Sequence, residues 1–297
     1  MIRLDRFITL AFFGPRAGRT NNRALSIPVL MYHSVSRDVE EGIHPYYRMV
    51  TTPEVFSRHM ALLADRGYQV MGLDAAITLL RQPTTVHPGM PAKTVVLTFD
   101  DGFSNFYTTA FPILARHGFT ATVFLPTSFI ETGTGRTGGQ TFLSWSQVNE
   151  LADHGVSFGS HTVSHGYLFG MTRVELKQEL QQSKAAIEER TGRAVRCFSY
   201  PYAFPEQDTR FVAVFRNLLQ TCGYACAVTT RIGTAAQGDD LFTLKRIPVN
   251  ASDDPALLHA KINGGYDWMH TAQYAAKTVR ALSGYHGRTG MVKWTSP

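Results

Sequence analysis

The chain has 297 residues, of which 44% are apolar and 18% are charged. This length and composition are typical of a globular protein with a large buried core, and they exclude a disordered or low-complexity chain. Lysine and arginine together number 29 and aspartate and glutamate 23, which gives a formal net charge of +6. This excess of positive charge suits an anionic partner such as a phosphate group, an acidic glycan or a membrane surface. The basic residues are spread along the chain, however, so they give no particular support for nucleic acid binding.

The first 26 residues are interpreted as an N-terminal extension. The apolar run 7–13 follows Arg3 and Arg6, as in a signal peptide, but it is short and meets Gly14-Pro15-Arg16 without a small-residue cleavage site. No stretch approaches the roughly 18 apolar residues that a transmembrane helix needs. We therefore predict a frayed extension. The alternative is a peripheral contact between its aromatic, arginine-flanked patch and a membrane surface.

Three cysteines stand in the second half of the chain: Cys197, Cys222 and Cys226. They are too few for a disulfide framework, and Cys222 and Cys226 have no second pair that would complete a structural zinc site. We predict that all three are buried as small apolar side chains. This usage fits a reducing compartment, so the predicted location is cytoplasmic, with membrane association as an option.

From residue 27 onward, short apolar runs alternate with amphipathic stretches. The predicted strands are 28–32, 68–71, 94–99, 121–125, 156–159, 197–200, 224–228 and 243–249. The predicted helices are 53–66, 73–80, a segment ending near 117, 144–155, 172–192, 211–222 and a segment beginning at 255, and capping boxes open the fourth and the fifth. The glycine- and threonine-rich stretch 132–141 is a predicted loop. Alternating strands and helices imply parallel βαβ units, and about seven in one run favour a barrel over an open sheet.

In such barrels the chemistry lies at the carboxyl ends of the strands. Two adjacent aspartates, Asp100 and Asp101, follow the predicted strand 94–99. Neighbouring residues of an extended chain point to opposite sides, so the two cannot serve one role equally. One of them can bind a metal ion while the other takes a proton. The alternative is a simple turn, since Asp-Gly is a common turn dipeptide.

Two histidines four residues apart, His161 and His165, follow the predicted strand 156–159. They can converge on one ion, and with one carboxylate they make a set typical of catalytic zinc, although imidazole also suits cobalt, nickel and iron. Water activated by such an ion can attack a carbonyl group, with a free carboxylate as general base. At the next strand end, Tyr200-Pro201-Tyr202 either lines a sugar subsite or packs in the core.

Three of these segments resemble the motifs of the polysaccharide deacetylases, which carry the NodB-homology domain of carbohydrate esterase family 4. They are Thr98-Phe99-Asp100-Asp101-Gly102, His161-Thr162-Val163-Ser164-His165 and Tyr200-Pro201-Tyr202. The opening Leu30-Met31-Tyr32-His33-Ser34-Val35 resembles a branch that acts on exopolysaccharides. The resemblance covers roughly residues 27–260 and implies an α/β fold, a distorted (β/α) barrel of about seven parallel strands. The catalytic domain would span 27–263 and a C-terminal tail 264–297.

The resemblance also implies a reaction and the residues that perform it. The activity would be the metal-dependent removal of N-acetyl groups from a polysaccharide, an oligosaccharide or a lipid-linked glycan precursor, which releases acetate and a free amine. Asp100 would be the general base acting on metal-bound water. Asp101, His161 and His165 would hold one divalent ion, which is zinc or alternatively cobalt or nickel. The backbone N–H of Tyr202 would join the metal in stabilising the oxyanion.

Two features depart from the family pattern. Ser199 stands where the third motif usually begins with an arginine that holds the base, and we hypothesise that Arg246, in the last strand, supplies that charge at the substrate-binding site. The usual late Leu-x-His, the source of the general acid, has no counterpart. His33 and His259 are the candidates for this acid. We favour His33, because a strand end points into the barrel mouth; a core or hydrogen-bonding role is its alternative.

Two other functions compete with sugar deacetylation. An amidohydrolase of a non-sugar amide would use the same ligands. A non-catalytic carbohydrate-binding relative is favoured by the missing arginine at position 199 and by the missing late histidine. It is opposed by the presence of both aspartates and both histidines of the first two motifs. The aromatic residues Tyr46, Tyr47 and Tyr202 and the loop 132–141 favour a sugar cleft. The pattern predicts no particular oligomeric state.

Overall fold

The fold is an α/β barrel. The computed structural model of the protein describes residues 3–13, 25–82, 93–133 and 141–282. Its main strands are β1 (Val29–Tyr32), β2 (Gln69–Met71), β3 (Thr94–Phe99), β4 (Thr122–Leu125), β5 (Ser157–Ser160), β6 (Cys197–Ser199), β7 (Cys226–Ile232) and β8 (Leu244–Pro248). Seven of them close a ring in the order β1-β8-β7-β6-β5-β4-β3, because β3 also pairs with β1, and every pairing in the ring is parallel. The predicted barrel of about seven parallel strands is confirmed.

The strand β2 has no place of its own in the ring. It pairs with residues 94–96 of β3, whereas β1 pairs with residues 96–99 of the same strand. Val96 pairs with both strands, so β1 and β2 lie on opposite edges of β3. The strand β2 shares its edge with β4, which pairs with Thr98 and Phe99, and this sharing distorts the barrel. Two short ladders lie outside the ring, one antiparallel between Ser26–Ile27 and Ala235–Ala236 and one parallel between Ser34–Val35 and Val50–Thr51.

Alternate residues of β3 face opposite sides of the barrel wall, although all six are buried. Leu97 and Phe99 belong to the larger apolar cluster, which includes residues of the surrounding helices. Val96 belongs to a second cluster with Phe124 of β4 and the helix that follows β2. By the same alternation, the residue after Phe99 points into the barrel.

The helices are α1 (Leu4–Ile8), α2 (Pro53–Asp65), α3 (Leu73–Arg81), α4 (Phe111–Ala115), α5 (Thr127–Thr132), α6 (Trp145–Asp153), α7 (Arg173–Thr191), α8 (Thr209–Thr221), α9 (Pro255–Ala260) and α10 (Met269–Leu282). Wider helical turns continue α1 over Thr9–Phe13, precede α4 at Phe106–Ala110 and follow α9 at Lys261–Gly265. Both predicted capping boxes are present, from Ser144 to Gln147 and from Thr172 to Glu175. These short-range signals fix where α6 and α7 begin.

The interpretation of the first residues as a frayed extension is wrong for residues 3–13, which form a helical segment packed on the domain. Asp5 and Thr9 are buried there, and Tyr266 donates a hydrogen bond of 2.8 Å to Asp5 Oδ2. Polar side chains thus hold this segment in place. Residues 14–24, which include Gly14-Pro15-Arg16, lie outside the described chain. Within the described ranges, no helix has the length and apolar character needed to cross a bilayer.

Residues 264–282, predicted to begin a tail, pack against the barrel. Tyr266 is completely buried and α10 contacts β7. Residues 283–297 and the central part of the predicted loop, 134–140, lie outside the described chain. The three cysteines are buried, as predicted.

Candidate active site at the carboxyl ends of the strands

The predicted site residues meet at one end of the barrel. Asp100 and Asp101 follow β3, His161 follows β5, and His33 follows β1. Because the ring strands are parallel, their carboxyl ends lie together, which is where α/β barrels carry their active sites. The structure therefore brings together residues that are up to 213 positions apart in the chain (33 to 246).

The backbone at this end adopts rare conformations. The non-glycine residues with positive φ in the described chain are Asp101 (72°), Thr162 (72°), His165 (49°) and Tyr202 (57°). All of them lie in the three motifs. Such conformations persist only where the surrounding structure holds them, and they cluster at functional sites. Gly102, which follows Asp101, also has positive φ. A Cβ atom at this position would come within 2.8 Å of Leu125 Cδ2, so a larger residue would not fit without a shift.

Asp101, His161 and His165 converge on one point. Asp101 Oδ1 lies 3.4 Å from His161 Nε2 and 3.2 Å from His165 Nε2, and one ligand atom of each residue lies within 4.8 Å of the other two. Ligand atoms that bind a tetrahedral ion at about 2.0–2.1 Å are about 3.3–3.4 Å apart, as the tetrahedral angle requires. Donor chemistry and spacing therefore fit a divalent ion such as zinc.

Neighbouring groups orient the two imidazoles. His161 is buried, and its Nδ1 lies 2.7 Å from the carbonyl oxygen of Ser199, which can accept the Nδ1 proton and leave Nε2 free as a ligand. His165 Nδ1 lies 3.3 Å from the hydroxyl of Tyr202. Burial acts to raise the pKa of Asp101, but the hydrogen bonds with His161 and His165 hold that pKa well below its usual value.

Glu179 of α7 fixes the loop that carries the two histidines. Its carboxylate accepts hydrogen bonds from the backbone N–H of Val163 (2.7 Å) and of Ser164 (3.0 Å) and from the Ser164 hydroxyl (2.7 Å). Sequence reasoning missed this residue, because its place on a helix 14 positions after His165 carries no local signal. Its position makes Glu179 a positioning residue for the histidine loop.

We expect the Glu179→Gln variant to bind its metal ion about 10- to 100-fold more weakly, the usual effect of losing a group that orients ligands. The amide keeps the shape of the side chain but loses the charge that attracts two backbone N–H groups. Metal titration against a chelating dye measures the affinity. Glu189→Gln, an exposed change on the same helix, is the matched control. Unchanged affinity in Glu179→Gln would contradict this role.

Asp100 forms a buried two-point ion pair with Arg246 of β8. Arg246 Nη1 donates to Asp100 Oδ1 over 2.8 Å and Nη2 donates to Oδ2 over 2.7 Å, and the Ser199 hydroxyl donates to Oδ1 over 3.1 Å. Burial alone would raise the pKa of Asp100, but the charge of Arg246 outweighs it and lowers the pKa to about 2. The carboxylate is therefore ionised at neutral pH and able to accept a proton.

A direct substrate-binding role for Arg246 does not fit the structure. Its side chain is completely buried, and its remaining hydrogen bonds reach the carbonyl of Thr229 and the hydroxyls of Thr98 and Ser199. It lies inside the barrel wall, where no substrate reaches it. The other part of the hypothesis, that Arg246 supplies the charge missing at Ser199, agrees with the contacts of both residues to Asp100.

The two candidates for the general acid lie in different places. His33 Nε2 is 3.9 Å from Asp100 Oδ2, and its side chain is 16% exposed. His259 lies on α9, where its Nε2 is 2.9 Å from Arg66 Nη1. Only His33 is therefore beside the aspartate pair and open to the cleft.

Tyr202 lies at the cleft surface with its side chain beside His165. Its backbone N–H has no hydrogen-bond partner among the described residues, whereas its carbonyl accepts a hydrogen bond from the Thr230 hydroxyl. Lys277 of α10 steadies the same loop by donating to the carbonyl of Phe204 (3.0 Å) and to Glu206 (2.9 Å). A segment predicted to be a tail thus supports the third motif.

The aromatic side chains considered for a sugar-binding cleft differ in exposure. Tyr202 is 50% and Tyr167 is 47% exposed, and their ring centroids are 6.4 Å apart. Tyr167 was not predicted. Tyr47 is exposed, whereas Tyr46 packs against the small cluster around Tyr266 and Trp268. The exposed pair beside His165 is suited to stacking against a sugar ring.

Comparison with known proteins agrees with this geometry. The profile of the polysaccharide deacetylase family matches residues 87–225. YxkH of Bacillus subtilis (strain 168), a protein named for the same family, is 30% identical over 224 residues, which are 75% of this chain and 71% of YxkH. The chain belongs to the polysaccharide deacetylase family. The match reaches beyond the profile, so the family resemblance is not confined to the three motifs.

Solved structures of other proteins share the fold. The Streptococcus pyogenes deacetylase PplD, solved with acetate, superposes with a TM-score of 0.68 at 25% identity, covering 80% of this chain and 99% of PplD. IcaB from Ammonifex degensii gives 0.67 at 23% identity, covering 82% and 98%. The poly-β-1,6-N-acetyl-D-glucosamine N-deacetylase of Escherichia coli K12 is 34% identical over 148 residues, which are 46% of this chain and 21% of that protein.

Proposed function

We propose that this protein is a metal-dependent N-deacetylase that removes acetyl groups from N-acetylated glucosamine units of a polysaccharide, an oligosaccharide or a lipid-linked glycan precursor. The observation that carries the proposal is the convergence of Asp101, His161 and His165 on one point, directly beside the Asp100–Arg246 ion pair. The three ligand residues fit a divalent ion, and the ion pair keeps the Asp100 carboxylate ionised. Hydrolysis of an amide by activated water needs both.

Asp101, His161 and His165 would hold zinc, or alternatively cobalt or nickel. The ion supplies Lewis-acid chemistry, which acidifies water and polarises the amide carbonyl. Asp100 takes the proton of the attacking water, because its carboxylate is ionised and held in position by Arg246 and Ser199. The backbone N–H of Tyr202 donates to the oxyanion that develops on the carbonyl.

Collapse of the tetrahedral intermediate requires a proton on the departing amine. We assign this step to His33, whose Nε2 lies 3.9 Å from Asp100 Oδ2 and whose side chain reaches the cleft. A proton from His33 converts the amine into a good leaving group, and acetate remains as the other product. This assignment replaces the late histidine that the family usually provides.

We expect the His33→Gln variant to lose about 10²-fold in kcat, as removal of a general acid typically costs 10²–10⁴-fold. Glutamine keeps a similar size and polarity but cannot deliver a proton. The His259→Gln variant is the matched control and keeps full turnover, because His259 lies on α9 away from the aspartates. Initial rates of acetate release from N-acetylglucosamine oligomers measure both. Full turnover in His33→Gln would exclude it as the acid.

The substrate class is supported by two observations. The exposed aromatic pair Tyr167 and Tyr202 flanks His165 and offers a stacking surface for a sugar ring. The E. coli relative acts, by its name, on poly-β-1,6-N-acetyl-D-glucosamine, although this chain spans only about a fifth of its length. Both favour an N-acetylated exopolysaccharide over a non-sugar amide.

Acetate release from N-acetylglucosamine oligomers, before and after treatment with a chelator, tests the proposal. We expect the chelated protein to lose activity and to regain it with zinc, cobalt or nickel, because no residue of the site replaces the Lewis acid. Chelator-resistant acetate release would contradict the metal dependence. Bound metal without acetate from any glycan would favour the non-catalytic relative, and hydrolysis of non-sugar amides alone would favour the amidohydrolase.

A further inference from the structure

His33 lies just beyond the last backbone hydrogen bond between the ends of β1 and β3. That bond runs from the Asp100 N–H to the carbonyl of Tyr32 over 3.0 Å. The chain after β3 then turns, because Asp101 has a positive φ of 72°. Strand pairing by itself therefore does not hold the His33 imidazole at 3.9 Å from Asp100 Oδ2.

Asn105 supplies the next link between the two segments. It stands five positions after Asp100, at the start of the helical turn Phe106–Ala110, and its amide binds the residues after His33 at two points. Asn105 Nδ2 donates to the Ser34 hydroxyl over 2.8 Å, and Asn105 Oδ1 accepts from the Val35 N–H over 3.1 Å. In the described chain, no other hydrogen bond joins residues 33–36 to residues 101–105.

The backbone around Val35 depends on this amide. The N–H groups on either side of Val35 donate to the carbonyls of Met49 and Thr51, over 3.4 and 3.1 Å, as part of the short parallel ladder. Successive N–H groups of a strand point to opposite edges, so the Val35 N–H points away from that ladder. Val35 is completely buried, and without Asn105 its N–H would lose its hydrogen-bond partner in the interior.

We propose that Asn105 is a positioning residue for the general acid. Its amide holds the segment that carries His33 at the separation from Asp100 at which the proton reaches the departing amine. This inference rests on the proposed function, in which His33 delivers that proton. Because Asn105 and Asp100 belong to one continuous segment, the amide links the acid to the base directly. A misplacement of about 1 Å can cost about 10²-fold in rate.

A double-mutant cycle tests whether Asn105 acts through His33. We expect Asn105→Ala to lower kcat for acetate release from N-acetylglucosamine oligomers about tenfold, with less than about twofold further effect in the His33→Gln background. Hydrolysis of p-nitrophenyl acetate should fall much less, because nitrophenolate leaves without a proton from an acid. A merely structural loss would lower both rates alike. Asn149→Ala, an exposed change on α6, is the matched control.

A crystal structure of the Asn105→Ala variant gives a readout that does not depend on activity. We expect His33 Nε2 to move away from Asp100 Oδ2, while the ion pair of Asp100 with Arg246 stays intact. Denaturant unfolding shows whether the variant is folded. Ser34→Ala, which removes only one of the two contacts, is the milder variant and should lose less kcat than Asn105→Ala.

An unmoved His33 in the Asn105→Ala structure would overturn the proposal. Full additivity of Asn105→Ala and His33→Gln in kcat would overturn it as well. If the wild type releases no acetate from any glycan, the proposed function fails instead. The position of His33 in the variant structure then still decides whether Asn105 holds it.

Discussion

We expect the Asp100→Asn variant to release acetate with a kcat about 10²- to 10⁴-fold below that of the wild type, the usual cost of losing a general base. The amide has nearly the shape of the carboxylate but cannot accept the proton of the attacking water. Metal content should be unchanged, because Asp101, His161 and His165 hold the ion in the proposed site. Kinetics with N-acetylglucosamine oligomers, together with metal analysis of the same sample, measure both quantities.

The exposed Asp65 at the end of α2 provides the control, since Asp65→Asn makes the same chemical change far from the ligands. It should leave kcat unaltered. The assignment of Asp100 as the base fails if Asp100→Asn keeps most of the wild-type kcat. If the variant instead loses both metal and activity, Asp100 belongs to the ligand set.

The Arg246→Met variant should lose both stability and activity. Removing one partner of a buried ion pair typically destabilises a protein by about 3–5 kcal/mol, because the other charge is left without compensation. Methionine preserves much of the unbranched stem of the arginine side chain. The loss of stability and activity therefore measures the effect of removing the guanidinium group. Without it, burial, which raises the pKa of Asp100, loses its strongest opposing charge, so that pKa rises. The acid limb of the pH–rate profile should therefore move to higher pH.

Denaturant unfolding measures the first effect and initial rates across pH measure the second, with metal content checked at each pH. Arg246→Lys keeps the charge but loses the two-point geometry, so it should fall between the wild type and Arg246→Met. The ion pair contributes its full stability above the ordinary aspartate pKa of 3.8, and the contribution is lost as pH falls through the folded value of about 2. An unaltered pH–rate profile in Arg246→Met would contradict the role of Arg246.

Much of the fold and of the candidate site was open to prediction because its signals are local. The alternation of apolar and amphipathic stretches predicted the barrel. The short-range hydrogen bonds of Ser144 and Thr172 marked where two helices begin. The Asp-Asp pair and the two histidines stand directly after strands, where a parallel barrel collects functional groups. These features depend on neighbours within a few positions, so the sequence contains them.

Other features were missed because they depend on contacts between distant segments. Glu179 orients the histidine loop from α7, and nothing near it in the sequence distinguishes it from the other acids of that helix. The segment 3–13 was expected to fray because its apolar run is too short for a signal peptide or a transmembrane helix, but Asp5 and Thr9 find partners more than 250 positions away, in Tyr266 and Trp268. Local pattern cannot reveal such partners.

By itself, the sequence determined the barrel class, the places where helices begin and the residues able to bind a metal ion, since periodicity and motif spacing are properties of the chain. Only the tertiary structure decided that Arg246, 146 positions from Asp100, lies buried beneath the carboxylate rather than in the substrate cleft. The reason is physical: a charge can be buried only where packing brings its counterion to hydrogen-bond distance, and that meeting is decided by how β3 and β8 are arranged around the closed ring.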